Sequence, residues 1–228
     1  MPETLPHEPF ADQAHFPPVE AIKNHTYISK EDGKTTRDRH IKVTKELPEY
    51  PPNTFKGRGI VMLAGGRYNG YAATGLGMIR ETGSSLPVEV WMKDKTEEKS
   101  GWCKELAKEG MVCRRLSDYI DVKFLTNGYQ FKILTMLFSS FEQVLFLDAD
   151  NVPVRNPDQV FESKSFVDTG VVLWPDYWKH SGTPLLPFVV GLTDEASELL
   201  RPEQTVESGQ IVWDKKRHWK VGDSEDTG

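Results

Sequence analysis

The sequence predicts an α/β fold with a mostly parallel central sheet flanked by helices. Three observations carry this. Strand-like apolar runs alternate with helix-like stretches from about residue 57 onward, and the residues with chemical potential gather at the C-terminal ends of the strand-like runs. One run, Val144-Leu145-Phe146-Leu147, is apolar without interruption, as a strand covered on both faces must be. Open sheets of this kind hold their chemistry at the C-terminal ends of the strands.

Taken in order, residues 1–58 carry eight of the fifteen prolines and many charges without sustained periodicity. Residues 1–56 therefore read as a poorly structured arm with a short helix near 39–47, and Pro48, Pro51 and Pro52 separate it from a domain over 57–228. The first strand, 59–67, runs into Gly65, Gly66 and Arg67. The glycines let backbone approach a ligand, and the guanidinium offers a planar fork for phosphate or carboxylate. A helix over 71–81 stops at Gly83, a second strand covers 87–92, a charged helix spans 97–109, and a short third strand follows at 111–116.

The next helix, 129–141, is apolar over most of its circumference and is expected against the sheet. Its polar stripe is Lys132, Thr135 and Ser139. Lys132 either snorkels to water or reaches a diphosphate held at the end of the strand that follows. That strand ends in Asp148-Ala149-Asp150. If the backbone stays extended through Ala149, both carboxylates point to one side with Cα atoms about 6–7 Å apart, and they can share one hard divalent cation. An isolated Asp-x-Asp is also a common turn cluster, and Asn151, Pro153 and Pro157 fit that reading too; the strand in front of it favours the ligand reading.

Residues 156–161 read as a capped turn with Pro157 at its first position. The strand over 170–178 ends in Trp174, Asp176 and Tyr177, rings beside a carboxylate that suit the flat face and hydroxyl rim of a sugar, or else a core cluster. Glu207, Ser208 and Gln210 surround Gly209 in a turn entering a last strand, and the basic run 215–219 reads as a solvated face.

Composition excludes some classes. A formal charge of −6 argues against a nucleic-acid partner. No run approaches the roughly 18 apolar residues of a membrane span, and the N-terminus has no signal-peptide pattern, so the chain taken alone reads as soluble and unaddressed. Cys103 and Cys113, ten residues apart, fit either a local disulfide or two buried thiols. Together with the sequon Asn24-His25-Thr26 they lean toward a lumenal protein.

Read together, Leu63-Ala-Gly-Gly-Arg-Tyr68, Leu86-Pro-Val-Glu-Val90, Gly128-Tyr-Gln-Phe-Lys132, Phe138-Ser-Ser-Phe-Glu142, Leu145-Phe-Leu-Asp-Ala-Asp-Asn-Val-Pro-Val154, Val172-Leu-Trp-Pro-Asp-Tyr-Trp178 and Glu207-Ser-Gly-Gln210 resemble the fungal Golgi α-mannosyltransferases that extend and branch cell-wall mannan. The likeness runs from about Gly57 to Trp219. It implies a GT-A fold, GDP-mannose as donor, a mannose-oligosaccharide acceptor, retention of configuration, and Mn²⁺ (or Mg²⁺) held by Asp148 and Asp150. Carried over by position, Gly65, Gly66 and Arg67 would border the nucleotide and Lys132 would assist the diphosphate. Asp176 with Trp174 and Tyr177 would face the sugars, while Glu207, Ser208 and Gln210 would sit by the transferred mannose. Glu207 is then the candidate for close carboxylate support of the reacting centre.

The chain departs from that family at two points. The family's proteins look like type II membrane proteins with a lumenal domain, and no anchor is visible here. They also continue past the Glu-Ser-Gly-Gln block into a region that completes the acceptor site and supplies a further metal ligand, often a His, and neither His180 nor His218 has a strong claim to that role. The chain is therefore expected to be a C-terminally truncated GT-A domain. An inactive binding or regulatory subunit of a mannosyltransferase complex is the alternative. A sugar-nucleotide pyrophosphorylase, whose first strand ends similarly, would need Gly-Thr-Arg where Tyr68-Asn-Gly-Tyr stands.

Overall fold

A computed structural model describes residues 29–98, 101–125, 127–176, 185–192 and 206–220. They divide into two units. In the first, the described residues form α1 (Lys30–Glu46) and the short α6 (Leu186–Val190), with the Arg37 guanidinium 4.9 Å above the centre of the Phe188 ring. Helix α1 begins nine residues before the helix expected in the arm. Ser29 supplies the reason: its hydroxyl caps the Asp32 amide, with Glu31 and Asp32 in the first turn.

The second unit carries the sheet. The strands are β1 (Arg58–Leu63), β2 (Val88–Met92), β3 (Met111–Arg115), β4 (Gln143–Asp148), β5 (Val171–Pro175) and β6 (Val206–Asp214), in the spatial order β3-β2-β1-β4-β6-β5, with only Pro175 of β5 and Val206 and Glu207 of β6 assigned to the first unit. Strands β1 to β4 run parallel and β6 runs antiparallel to β4. The chain moves outward from β1 to β2 and β3, then returns to lay β4 on the other side of β1. Such a reversal opens a crevice at the carboxyl ends of the strands. Register sets Leu63 opposite Trp91 on one side and Asp148 on the other, and sets Leu147 opposite Gln210.

Residues alternate between two apolar layers, as the two-residue strand period requires. Ile60, Met62, Val88, Val90, Leu145 and Leu147 face α2 (Asn69–Glu81), α3 (Trp102–Lys108) and α5 (Lys164–Thr169) through Leu76, Ile79, Leu106 and Phe166. Val61, Trp91, Val144 and Phe146 face Met136 of α4 (Tyr129–Phe138) and Phe141. Strand β4 is thus covered on both faces, which accounts for its uninterrupted apolar run. The capped turn at Pro157 forms as the sequence indicates, with Asn156 Oδ1 accepting from the Asp158 amide at 2.9 Å.

Three expectations are corrected. Helix α3 starts at Trp102, because Asp94 caps a 3₁₀ turn over Lys95–Glu97 and the chain then passes Gly101 at φ 78°. Residues 206–210 are strand rather than turn: they form the first half of β6, which continues into the antiparallel pairing of Gln210–Asp214 with β4. The basic run after β6 is not simply a solvated face. Lys215 is fully buried, donating to Leu137 O at 3.2 Å, Ser139 O at 2.7 Å and Ser139 Oγ at 2.9 Å, with its ammonium 4.0 Å above the Phe55 ring. It closes the C-terminal end of α4, where helix carbonyls lack partners of their own. Arg217 likewise donates to Val167 O at 2.9 Å and Asp168 O at 2.6 Å.

Cys103 of α3 and Cys113 of β3 form a disulfide across a Cα separation of 5.7 Å. Closing a loop of this size stabilises by about 2–3 kcal/mol in the chain-entropy account. Cys103→Ser with Cys113→Ser should therefore lower the thermal midpoint by roughly 5–10 °C at this chain length while leaving far-UV circular dichroism unchanged.

Burial pushes the Lys215 ammonium from its ordinary value of 10.5 down to about 7, against the opposing attraction of Glu89. Between about pH 7 and pH 9 the unfolded chain still binds a proton that the folded chain has released. Stability contributed through Lys215 therefore rises with pH, by on the order of 1 kcal/mol per unit. Urea unfolding at pH 7 and pH 9 should show a steeper rise for the wild type than for Lys215→Met. The window stays below the titration of Tyr50, which burial and its hydrogen bond to Glu142 hold above the usual phenol range.

Candidate functional site

The crevice at the carboxyl ends of β1 and β4 encloses about 490 Å³. Its first wall is the exit of β1. Gly65 adopts φ 118°, and a Cβ there would lie 2.3 Å from Glu97 Oε2, so only glycine fits. The turn is held from inside: the Gly65 amide donates to Asn69 Oδ1 at 2.9 Å, and Asn69 Nδ2 donates to the Glu97 carbonyl at 2.9 Å. Glu97 Oε2 accepts from the Lys93 amide at 2.8 Å, which fixes its carboxylate against Gly65.

The second wall is the N-terminal turn of α4 with the residues before it, from Asn127 to Lys132. Lys132 Nζ lies 2.6 Å from Asp148 Oδ2 and 3.2 Å from Ser208 Oγ. The Lys132 and Asp148 side chains are only 13% and 23% exposed, so this pair is screened less than a surface ion pair. On the floor, the Asp148 carbonyl accepts from the Asn151 amide at 2.9 Å. Asp148 to Asn151 is therefore a tight turn, and in place of the extended Asp-x-Asp expected from the sequence the two carboxylates stand at its first and third positions, Asp148 half-buried and Asp150 exposed. Both still line the same cavity. Asn151 Nδ2 donates to Gly209 O at 3.2 Å and approaches Gln210 Oε1 at 3.4 Å, tying this turn to β6.

The structure thus gathers Gly65, Lys132, Asp148 and Asp150 around one cavity, with Ser208 and Gln210 attached through Lys132 and Asn151. Gly66 and Arg67 are exposed outside its lining, and the Arg67 guanidinium lies 4.8 Å above the Tyr68 ring and donates to the Tyr68 hydroxyl at 2.7 Å. Trp174 packs against the larger core cluster. Asp176 and Glu207 belong to the first unit, and Tyr177 and His180 lie outside the described residues. His218 Nε2 sits 2.7 Å from Thr169 O.

Glu97 was not among the residues the sequence singled out, although it lines the cavity. Its place in a charged stretch that reads as the first turn of a helix concealed it; Asp94, two residues before Thr96, is the signal for the separate turn. For a cation, the available donors are two carboxylates, both hard oxygen ligands. Among the described residues no cluster of three or more His, Cys, Asp or Glu side chains is found. Two carboxylates plus ligand phosphate oxygens are a common donor set for Mg²⁺ and similar ions, so the residues present fit one.

Fold and site together define an α/β ligand-binding domain whose crevice pairs acidic residues with a lysine at the switch point of the sheet. A mannosyltransferase family model, Mannosyl_trans3, matches residues 57–199. The chain belongs to this mannosyltransferase family. It is 30% identical over 242 residues to the α-1,2-mannosyltransferase MNN24 of Candida albicans, covering 89% of this chain and 34% of that protein. It is 31% identical over 204 residues to the α-1,2-mannosyltransferase MNN2 of Saccharomyces cerevisiae, covering 74% of this chain and 34% of that protein. The chain spans about a third of the length of these curated relatives. Among solved structures, the galactosyltransferase LgtC in complex with donor and acceptor sugar analogues aligns at 14% identity and a TM-score of 0.45, covering 72% of this chain and 60% of that one.

A double-mutant cycle on Lys132→Met and Asp148→Asn, read by urea unfolding without added metal, should return a favourable coupling of about 1–2 kcal/mol. Each single variant leaves a half-buried charge facing a neutral group, and the double variant removes both.

Proposed function

We propose that this chain forms the donor-binding part of a GT-A α-mannosyltransferase, which moves mannose from GDP-mannose to a mannose-oligosaccharide acceptor with retention of configuration and with Mn²⁺ or Mg²⁺ as cofactor. Family membership supports the reaction class, and the names of the relatives support mannose as the sugar. The observation that carries the reading is the Lys132 ammonium set against Asp148 at the mouth of β4, beside Asp150.

In this reading Asp148 and Asp150 would hold the cation, which when bound would supply positive charge beside the diphosphate. Lys132 turns from Asp148 to the leaving diphosphate, adding positive charge where negative charge develops. Gly65, which carries no side chain, lets the β1 backbone border the nucleotide, with Gly66 and Arg67 beside it. Ser208 and Gln210 orient the sugar. The Cys103–Cys113 disulfide supports an oxidising, lumenal compartment such as the Golgi.

Calorimetric titration tests this directly. GDP-mannose should bind in the presence of Mn²⁺, with affinity falling at least about tenfold when Mn²⁺ is withheld or when Asp148→Ala removes the half-buried carboxylate. A folded wild-type chain that binds neither GDP nor GDP-mannose with Mn²⁺ would sink the proposal.

A further inference from the structure

Two side chains at the start of α4 line the cavity without a role in holding the donor. Tyr129 does so with its ring 70% exposed, and Asn127 stands two residues before it. The backbone sets their arrangement. Asn127 Oδ1 accepts from the Tyr129 amide at 2.9 Å, which satisfies one of the free amides at the start of the helix and leaves the Asn127 amino group as a donor with no hydrogen-bond partner among the described residues. Gly128 between them adds no side chain, and the space that a Cβ would enter there is open. This lip of the cavity therefore presents a flat apolar ring beside a polar donor, the two kinds of contact that suit the C–H face and the hydroxyl rim of a pyranose. Ile133, one turn further along α4 and 55% exposed, continues the apolar surface outside the cavity lining.

Lys132 fixes which end of the cavity this is. Its ammonium lies 5.6 Å from the centre of the Tyr129 ring, 3.2 Å from Ser208 Oγ and 2.6 Å from Asp148 Oδ2. The ring thus belongs to the diphosphate end, and it meets the lysine from α4 while Ser208 meets it from β6. Tyr68, the other tyrosine of the lining, stands at the exit of β1, where its hydroxyl accepts from Arg67. A hydroxyl that is to receive the transferred sugar must come within about 3–3.5 Å of the carbon that leaves the diphosphate. Its own sugar has to rest beside that phosphate.

We propose that Tyr129 and Asn127 form the acceptor subsite, with one pyranose face stacked on the Tyr129 ring and a hydroxyl of the same sugar accepting from Asn127 Nδ2; this rests on the donor-site reading above. The donor sugar then lies toward Ser208 and the acceptor sugar toward Tyr129, with the phosphate at Lys132 common to both. An exposed ring suits an acceptor that arrives from solvent, and the Ile133 surface gives the rest of its glycan a path away from the cavity.

Ligand-observed NMR titration of an α-linked mannobiose into the chain loaded with GDP and Mn²⁺ tests the subsite in the wild type, Tyr129→Ala and Tyr129→Phe. Mannitol, which keeps the hydroxyls but has no ring face, serves as the second probe. The wild type should bind mannobiose in preference to mannitol. Tyr129→Ala should weaken mannobiose by about fivefold or more, as the loss of one stacked ring requires, whereas Tyr129→Phe should stay within about twofold of the wild type because the ring makes the contact. A ring that only supports Lys132 would instead lower GDP and mannobiose affinity in the same proportion in Tyr129→Ala, and that outcome overturns the assignment. So does a GDP-loaded wild type that binds no mannobiose, or binds mannitol equally well, with the donor site left standing. A wild type that fails to bind GDP removes the donor site and this subsite together.

Discussion

A carboxylate at the end of a strand covered on both faces needs a partner, and much of the second unit is arranged to provide one. Asp148 terminates β4, and Lys132 meets it from α4 while also reaching Ser208 of β6. At the other end of the same helix, Lys215, the residue after β6, closes the carbonyls of Leu137 and Ser139. Helix α4 is therefore fastened at both ends by lysine contacts that involve β6 or its immediate continuation. The ammonium facing Asp148 is placed by a helix that has little freedom to slide, and a positioned charge of this kind reorganises little when a ligand arrives.

A second buried charge stabilises the opposite half of the sheet. Glu89 in the middle of β2 is 2% exposed and accepts from Trp91 Nε1 at 3.0 Å and Ser140 Oγ at 2.6 Å, with Arg114 Nε at 2.8 Å. Burying such an ion costs several kcal/mol before its partners offset it, so the cluster contributes little net stability. It does fix which groups meet: Ser140 joins the end of α4 to the start of β4, and Arg114 belongs to β3. Two strands and the connection from α4 to β4 are held around one carboxylate.

The parts of the fold legible in the sequence were those set by local pattern. The uninterrupted apolar run of β4, the strand and helix alternation, the Asn156 cap and the Asp148–Lys132 neighbourhood all follow from spacing and composition. What escaped was set by distant partners. Lys215 looked solvated because nothing in a basic run announces that Phe55 and the end of α4 will enclose it. The turn at Asp148 depends on the hydrogen bond from the Asn151 amide, and β6 on antiparallel pairing with the distant β4 from Gln210 onward, neither of which leaves a periodic trace. Glu97 was hidden for the same reason, since its role depends on a glycine 32 positions earlier in the chain.

The charge of the cavity then constrains how it can be filled. Its ionisable carboxylic and ammonium groups are Glu97, Asp148 and Asp150 against Lys132, so three carboxylates facing one ammonium leave two negative charges. A diphosphate adds further negative charge to a partly desolvated space, where like charges repel more strongly than in water. The lysine alone does not reverse that sign, because its charge is already engaged by Asp148. A divalent cation matches the excess, and by occupying Asp148 it would release Lys132 for the phosphate. On the proposed function, cation and nucleotide therefore favour each other's binding, and that mutual dependence is reciprocal by linkage. A neutral or cationic ligand would need no such help, which makes the acidity of this cavity an argument for an anionic ligand only when a metal comes with it.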